Sequence, residues 1–293
     1  MVRMAFSTQL EYEVFDEGCD FIFNVQAAYT PRQTVVEESL SFNQSLTASY
    51  YTDAQSQSRF IALHATQGPF CVRYSAVVDL THFEAAPSAL FELRPQSLPG
   101  HVLSYLYPSR YCQSDRLIAF ASQQFGNLPM GYSRAQAICD WVKGNVRFQG
   151  NTSNSNTSAL DTLIDRVGVC RDFAHLMIAL CRAVNLPARM VSGMDYGADP
   201  MLGPPDFHAY VEVYLADADG LGRWYMFDPS GTAIPMGFVR FCTGRDAADI
   251  AFATIFGSVH AAQPVINIQP VVNNQGHLVV PQHVGHALST DGF

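Results

Sequence analysis

The chain has 293 residues, 48% of them hydrophobic, enough for a large core and about two domains at ~100–200 residues each. Lysine plus arginine total 17 against 26 aspartate plus glutamate, a formal charge of −9 that argues against a nucleic-acid partner and gives no polybasic membrane anchor. Aromatics at 12% are too many for a disordered chain. No uninterrupted apolar run approaches the ~20 residues of a spanning helix.

The amino terminus lacks the apolar stretch and cleavage site of a secretory signal. Cys19, Cys71, Cys112, Cys139, Cys170, Cys181 and Cys242 are scattered, odd in number and without a CxxC pair. That pattern fits neither a disulfide scaffold nor a standard zinc module, so a reduced, cytoplasmic protein is expected.

Residues 10–80 read as β structure. Phe21, Phe23, Val25, Ala27 and Tyr29 fall on alternate positions, as do Phe70, Val72, Tyr74, Ala76 and Val78. Period two puts each set on one face of a strand. Shorter runs occur at 10–15, 46–50 and 59–65. A β-sandwich-like domain over 1–84 is expected, structural or for recognition, with no chemical constellation in it. Residues 85–110 form a connector punctuated by Pro87, Pro95, Pro99 and Gly100.

The period then becomes helical. Ser114 is positioned to cap a helix through about Phe125. Ser133 with Gln136 and Ser158 with Asp161 fit capping boxes. Phe173, Leu176, Met177, Leu180, Cys181 and Val184 form an apolar stripe, so a helix buried along it starts at or just before Cys170. Asn185-Leu186-Pro187 stops it. Strands are expected at 188–194, 207–215 and 224–228, with a Gly- and Pro-rich loop at 195–206 placed to act as a lid. The domain holding these elements is taken as 111–275. A strand is read at 265–272 and the rest of the chain from Ala251 to the end as loosely ordered, with 276–293 taken as a C-terminal tail.

Cys170 therefore sits where a helix amino terminus stabilises a thiolate and turns an amide toward a developing oxyanion. His208 and Asp228 lie on strands flanking a hairpin turn at 216–222. If paired residues sum to 436, His208 faces Asp228, and a carboxylate there can hold an imidazole in one tautomer. A one-residue slip would separate them.

Four segments carry a resemblance. Gly168-Val169-Cys170-Arg171-Asp172-Phe173-Ala174, the run Leu186 to Gly193, Phe207-His208-Ala209-Tyr210-Val211-Glu212-Val213-Tyr214, and Trp224 to Pro229 resemble the bacterial transglutaminase-like superfamily. Its members are often described as candidate cysteine proteases. The specific match covers roughly 158–232, and the front half resembles, less specifically, the accompanying amino-terminal region. The resemblance implies an α+β protein whose papain-like core packs the cysteine helix on an antiparallel sheet. It implies Cys170 as nucleophile, His208 as general base then acid, and Asp228 as its orienting partner. Tyr210 stands where many relatives carry Trp, and Ser230 where they usually carry Thr. Trp141 and Gln149 are the upstream candidates for a second oxyanion donor.

The expected chemistry is attack on a peptide or amide carbonyl, giving a thioester that water resolves. Alternatives are transfer to an amine, or a binding or scaffold protein that uses the fold without catalysis. Substrates are expected to be peptides, proteins or amides, with no cofactor. Zinc on Cys170, His208 and Asp228 lacks the close-spaced ligand pair of HExxH or CxxC. His277, His283 and His286 read as solvent-exposed and unliganded.

Other residues have structural readings. His175 lies about 140° around the helix from Cys170 and faces away. Cys181, about 16 Å along the axis, belongs to the core. Arg171 and Asp172 suit capping and ion pairing. Arg189 bridges domains or touches substrate, structural use being favoured.

Overall fold

The computed structural model describes residues 1–197, 201 and 206–291. Its front half contains β1 (Val2–Val14), β2 (Cys19–Phe23), β3 (Gln33–Phe42), β4 (Ala48–Thr52), β5 (Arg59–Ala65), β6 (Gly68–Leu80) and β7 (Phe83–Ala85). Helices α1 (Ile118–Phe125) and α2 (Tyr132–Asn145) follow, then β8 (Arg147–Phe148), α3 (Ala159–Asp165), β9 (Val167–Gly168) and α4 (Cys170–Ala183). The second half holds β10 (Ala188–Met194), β11 (Phe207–Ala216), β12 (Gly222–Phe227), β13 (Val239–Gly244) and α5 (Ala247–Ile250). It ends with β14 (Ala253–Phe256), β15 (Val259–Ala261), β16 (Val265–Pro270) and β17 (Ala287–Ser289).

Two antiparallel sheets make the β-rich front. One runs β1-β6-β3, with β15 and β16 sharing the outer edge of β1; the other runs β14-β2-β5-β4. Leu10, Tyr12, Phe21, Phe23, Ile61, Phe70 and Val72 pack between them. β1 alternates buried and less buried residues over its whole length, so it is longer than the 10–15 run read from sequence. β2 ends at Phe23, and residues 24–29 leave the ladder although Val25 and Ala27 stay buried. Residues 253–270, grouped by sequence with the second domain, pair instead with β1 and β2. The front layer is completed by chain from beyond the second sheet. Chain of the supposed loose tail also pairs, β17 with β7.

The second sheet has the order β12-β11-β10-β13, all antiparallel. Ala188, Met190, Ala209, Val211 and Val213 face α4 from it. Helices α1, α2 and α3 pack on α4 from other directions. α4 is consequently buried on all sides from Asp172 to Ala183, and not along one stripe alone. Its polar members Arg182 and His175 Nε2 find partners, whereas His175 Nδ1 has none among the described residues. Arg182 donates to the carbonyls of Ala188 (2.8 and 3.0 Å), Tyr107 (3.1 Å) and Arg245 (2.6 Å). His175 accepts from the Ala247 amide at 3.2 Å and stacks on Tyr111. Each fully buried Leu, Ile, Met or Phe of the helix contributes about 1.5–3 kcal/mol relative to exposure.

Local signals explain the helix ends. Asp161 accepts from both the amide and the hydroxyl of Ser158 (2.9 and 2.7 Å), the capping box expected for α3. α2 is different: it starts at Tyr132 after Gly131 at φ 107, so Ser133 lies inside the helix. Glu92 fixes that entry by accepting from the Gly131 amide (2.8 Å) and pairing with Arg134. After α4, Asn185 takes a left-handed turn at φ 64 and the chain reverses into β10.

Candidate active site

The α4 helix and three strands converge at one end of the second sheet. α4 begins there with Cys170, β10 ends there before Asp195, β11 begins there with Phe207 and His208, and β12 ends there before Asp228. The parallel pair β8–β9, Phe148 beside Gly168, delivers the chain into α4. The first turn is capped by Asp172, which accepts from the Val169 amide at 2.8 Å and from Ser153 Oγ at 2.9 Å. Arg171 reaches the Asn154 carbonyl at 2.8 Å. Both residues thus do the capping and local pairing expected of them. Cys170 occupies the first helical position, where amides lack intrahelical acceptors.

His208 is 6% exposed, and its two nitrogens face different carboxylates. Nε2 is 3.4 Å from Asp228 Oδ1, and Nδ1 is 3.6 Å from Asp195 Oδ2. The Cys170 sulfur lines the same cleft as this ring and lies 3.9 Å from the Phe207 carbonyl oxygen. Burial lowers the affinity of His208 for a proton, but Asp228 and Cys170 outweigh it, and its pKa stands well above the ordinary value. The edge of Tyr210 supports the ring, with centroids 4.7 Å apart.

Asp228 is held in turn. Ser230 donates its hydroxyl to Oδ1 at 2.6 Å and its amide at 3.1 Å, and the Ala233 amide donates to Oδ2 at 3.1 Å. Burial alone would raise this carboxyl; His208 and the donors bring its pKa below the usual aspartate value. Ser230 thus supplies a hydroxyl donor to the carboxylate.

The pairing register differs from the one expected. Val211 pairs with Phe227 and Glu212 with Met226, so opposed numbers sum to 438 and not 436. The cause is the turn: Ala216 pairs with Gly222, and Asp217 accepts from the amides of Asp219 and Leu221 (3.0 and 3.1 Å). Five residues are consumed between the strands. A two-residue shift keeps every side chain on its face, so His208 and Asp228 still meet, diagonally.

Asp195 was not singled out by its sequence beyond marking the start of the 195–206 loop. It follows a place where the register of β10 with β13 shifts between Ser192 and Gly193. A Cβ on Gly193 would lie 2.0 Å from the Val239 carbonyl oxygen, so only glycine allows that approach. Residues 198–200 and 202–205 of the suggested lid lie outside the described residues.

A cleft of about 740 Å³ opens on Cys170, His208 and Asp195, with Phe207, Phe241 and Phe252 among its walls. Neither Trp141 nor Gln149 lines it. Trp141 packs on Phe120 and Phe125 with Arg166 over its face, and Gln149 is exposed. A second cavity of about 840 Å³ lies at the far end of the sheet, near Arg189, Arg245 and Trp224. It is larger, but no cysteine lines it. Arg189 is buried there against Glu212 and Asp291, a structural role. Among the described residues no group of three His, Cys, Asp or Glu has metal-binding geometry. Among them, too, no helix is long and apolar enough to cross a membrane.

This is the architecture of a papain-like transglutaminase core joined to a β-rich amino-terminal region, and the comparisons agree. Residues 118–229 match the transglutaminase-like superfamily, and residues 2–91 match the bacterial transglutaminase N-terminal domain. The crystal structure of a "Putative Cysteine Protease from Cytophaga hutchinsonii" is similar with a TM-score of 0.88 and 36% identity, covering 98% of this chain and 97% of that one. The chain belongs to the transglutaminase-like superfamily. Uncharacterized protein ML0607 of Mycobacterium leprae is 25% identical over 196 residues, 64% of this chain and 68% of that protein. Uncharacterized protein Rv2569c of Mycobacterium tuberculosis is 32% identical over 109 residues, 35% of each.

Proposed function

We propose that the protein is a thiol-dependent acyl-transfer enzyme that hydrolyses peptide or amide bonds through a thioester on Cys170. The observation that carries this reading is one cleft lined by both the Cys170 sulfur, at a helix amino terminus, and His208, whose Nε2 lies 3.4 Å from the Asp228 carboxylate. His208 takes the thiol proton and later gives it to the leaving amine. Asp228 orients the ring and stabilises the imidazolium. The Cys170 amide, unpaired in the first turn, is a donor for the oxyanion. The cleft at the sulfur provides room for an extended substrate.

The test is turnover of a peptide and amide library, with and without a labelled primary amine, by wild type and Cys170→Ala. Turnover abolished by the substitution, with label absent from the products, is the expected result. Label in the products would make the enzyme an amine transferase. Undiminished turnover by the variant would eliminate the mechanism.

A further inference from the structure

Asp195 is a second carboxyl at His208 with no assigned task. It is 6% exposed, lines the Cys170 cleft, and places Oδ2 3.6 Å from Nδ1, the ring nitrogen not used by Asp228. Its other oxygen, Oδ1, is buried without a hydrogen-bond partner among the described residues. A buried acceptor left unpaired is destabilising, so its retention calls for an occupant that donates to it. Asp228, by contrast, has donors on both oxygens. The shift beside Gly193 lies two residues before this carboxyl.

The two half-reactions make different demands on His208. In acylation its partner is the thiol. In deacylation the sulfur is esterified, and the ring must act on the incoming nucleophile. Resting on the function proposed above, we infer that Asp195 is a catalytic residue of the deacylation half-reaction, its unpaired oxygen accepting a hydrogen bond from the water that His208 activates. The water oxygen bonds to the thioester carbonyl carbon while one of its protons passes to His208 Nδ1. The other hydrogen is held by Asp195 Oδ1. Collapse of the tetrahedral adduct breaks the carbon–sulfur bond, the thiolate leaves beside the imidazolium, and the carboxylic acid product loses its remaining proton to solvent. Asp195 undergoes no net change.

The test uses p-nitrophenyl acetate as an acylating probe on the full chain. Wild type should release a rapid burst of p-nitrophenolate, then turn over steadily at the deacylation rate. Asp195→Ala should keep the burst amplitude and slow the steady phase by about 10²-fold, the scale of a misplaced nucleophile. An acetyl adduct on Cys170 should persist in the intact-protein mass spectrum. Hydroxylamine, a nucleophile needing little such help, should restore the steady rate. Asp195→Asn preserves the side-chain shape and should show the same split, with a smaller effect. Deacylation within about twofold of wild type in both variants, or equal slowing of both phases in Asp195→Asn, would overturn the inference while leaving Cys170 as nucleophile. A wild type with no burst, or with the adduct elsewhere than Cys170, would overturn the nucleophile assignment itself.

Discussion

Asp228 reaches His208 across a diagonal of the sheet: its carboxylate lies 3.4 Å from Nε2 although the residue stands one position beyond the last paired residue of β12. Its place is fixed by the turn that follows, through Ser230 and Ala233, and not by the ladder. Replacing it with asparagine keeps the shape and removes the charge. Asp228→Asn is expected to lower kcat/KM by on the order of 10²–10⁴-fold. Because the Asp228 charge holds the His208 pKa up, the alkaline limb of the pH–rate profile should move to lower pH in the variant. A profile with an unmoved limb would contradict this role.

Ser230 should matter to the rate through Asp228, although its hydroxyl also lies 2.9 Å from Thr232 Oγ1. Ser230→Ala deletes the 2.6 Å hydroxyl donor and leaves the backbone donors. A hydrogen bond to a charged group is worth about 1.5–3 kcal/mol, so a rate loss of roughly 10- to 100-fold is expected. Ser230→Thr retains the hydroxyl and should stay near wild type. Steady-state kinetics of the two variants checks the pair.

The amino-acid pattern made the helix of Cys170, the strands around it and the hairpin turn at 216–222 readable, because their periods and stop signals are strong. The register was not readable, although the turn's own ends imply the closing pair Ala216 with Gly222. β3 escaped notice because it is an edge strand with mostly exposed residues such as Glu37 and Ser39, so period two is blurred. The return of β14–β16 to the front sheets is a long-range pairing that no local pattern encodes. Asp195 was invisible for a related reason: its place at His208 depends on how β10 ends in three dimensions, and its neighbours in sequence carry no catalytic signature.

Burial pushes the Asp195 carboxyl up to about 7, with His208 partly opposing the shift. A folded value above the unfolded one means that ionisation penalises the native state. Stability should therefore be greatest below about pH 4 as far as this group is concerned, fall as pH rises toward 7, and change little beyond. Asp195→Asn removes the penalty. Its urea midpoint should exceed that of wild type by an increasing margin from about pH 4 to 7, on the order of a few kcal/mol at the top. Equal margins at both ends would contradict the assignment.

His208 has the opposite sense of benefit. Its raised folded value contributes stability that is full below about pH 6.5 and is lost as pH climbs through that higher value. Denaturation midpoints of wild type and His208→Gln should converge on the alkaline side after allowance for other groups. A constant difference across neutral and alkaline pH would show that the imidazolium is not favoured by folding.

Gly193 is a structural requirement of the same corner. Gly193→Ala would drive a methyl into the Val239 carbonyl oxygen and the Phe238 ring. Overpacking of this kind costs about 1–3 kcal/mol, to be seen as a lowered urea midpoint.

The most direct measurement is the NMR titration of the His208 ring in wild type, Cys170→Ala and Asp228→Asn. The ring should remain an imidazolium well above the ordinary histidine range of about 6.5, and removal of either neighbour should bring its titration downward. A ring that titrates near the ordinary value and ignores both substitutions would contradict the claim that sulfur, imidazole and carboxylate act as one unit.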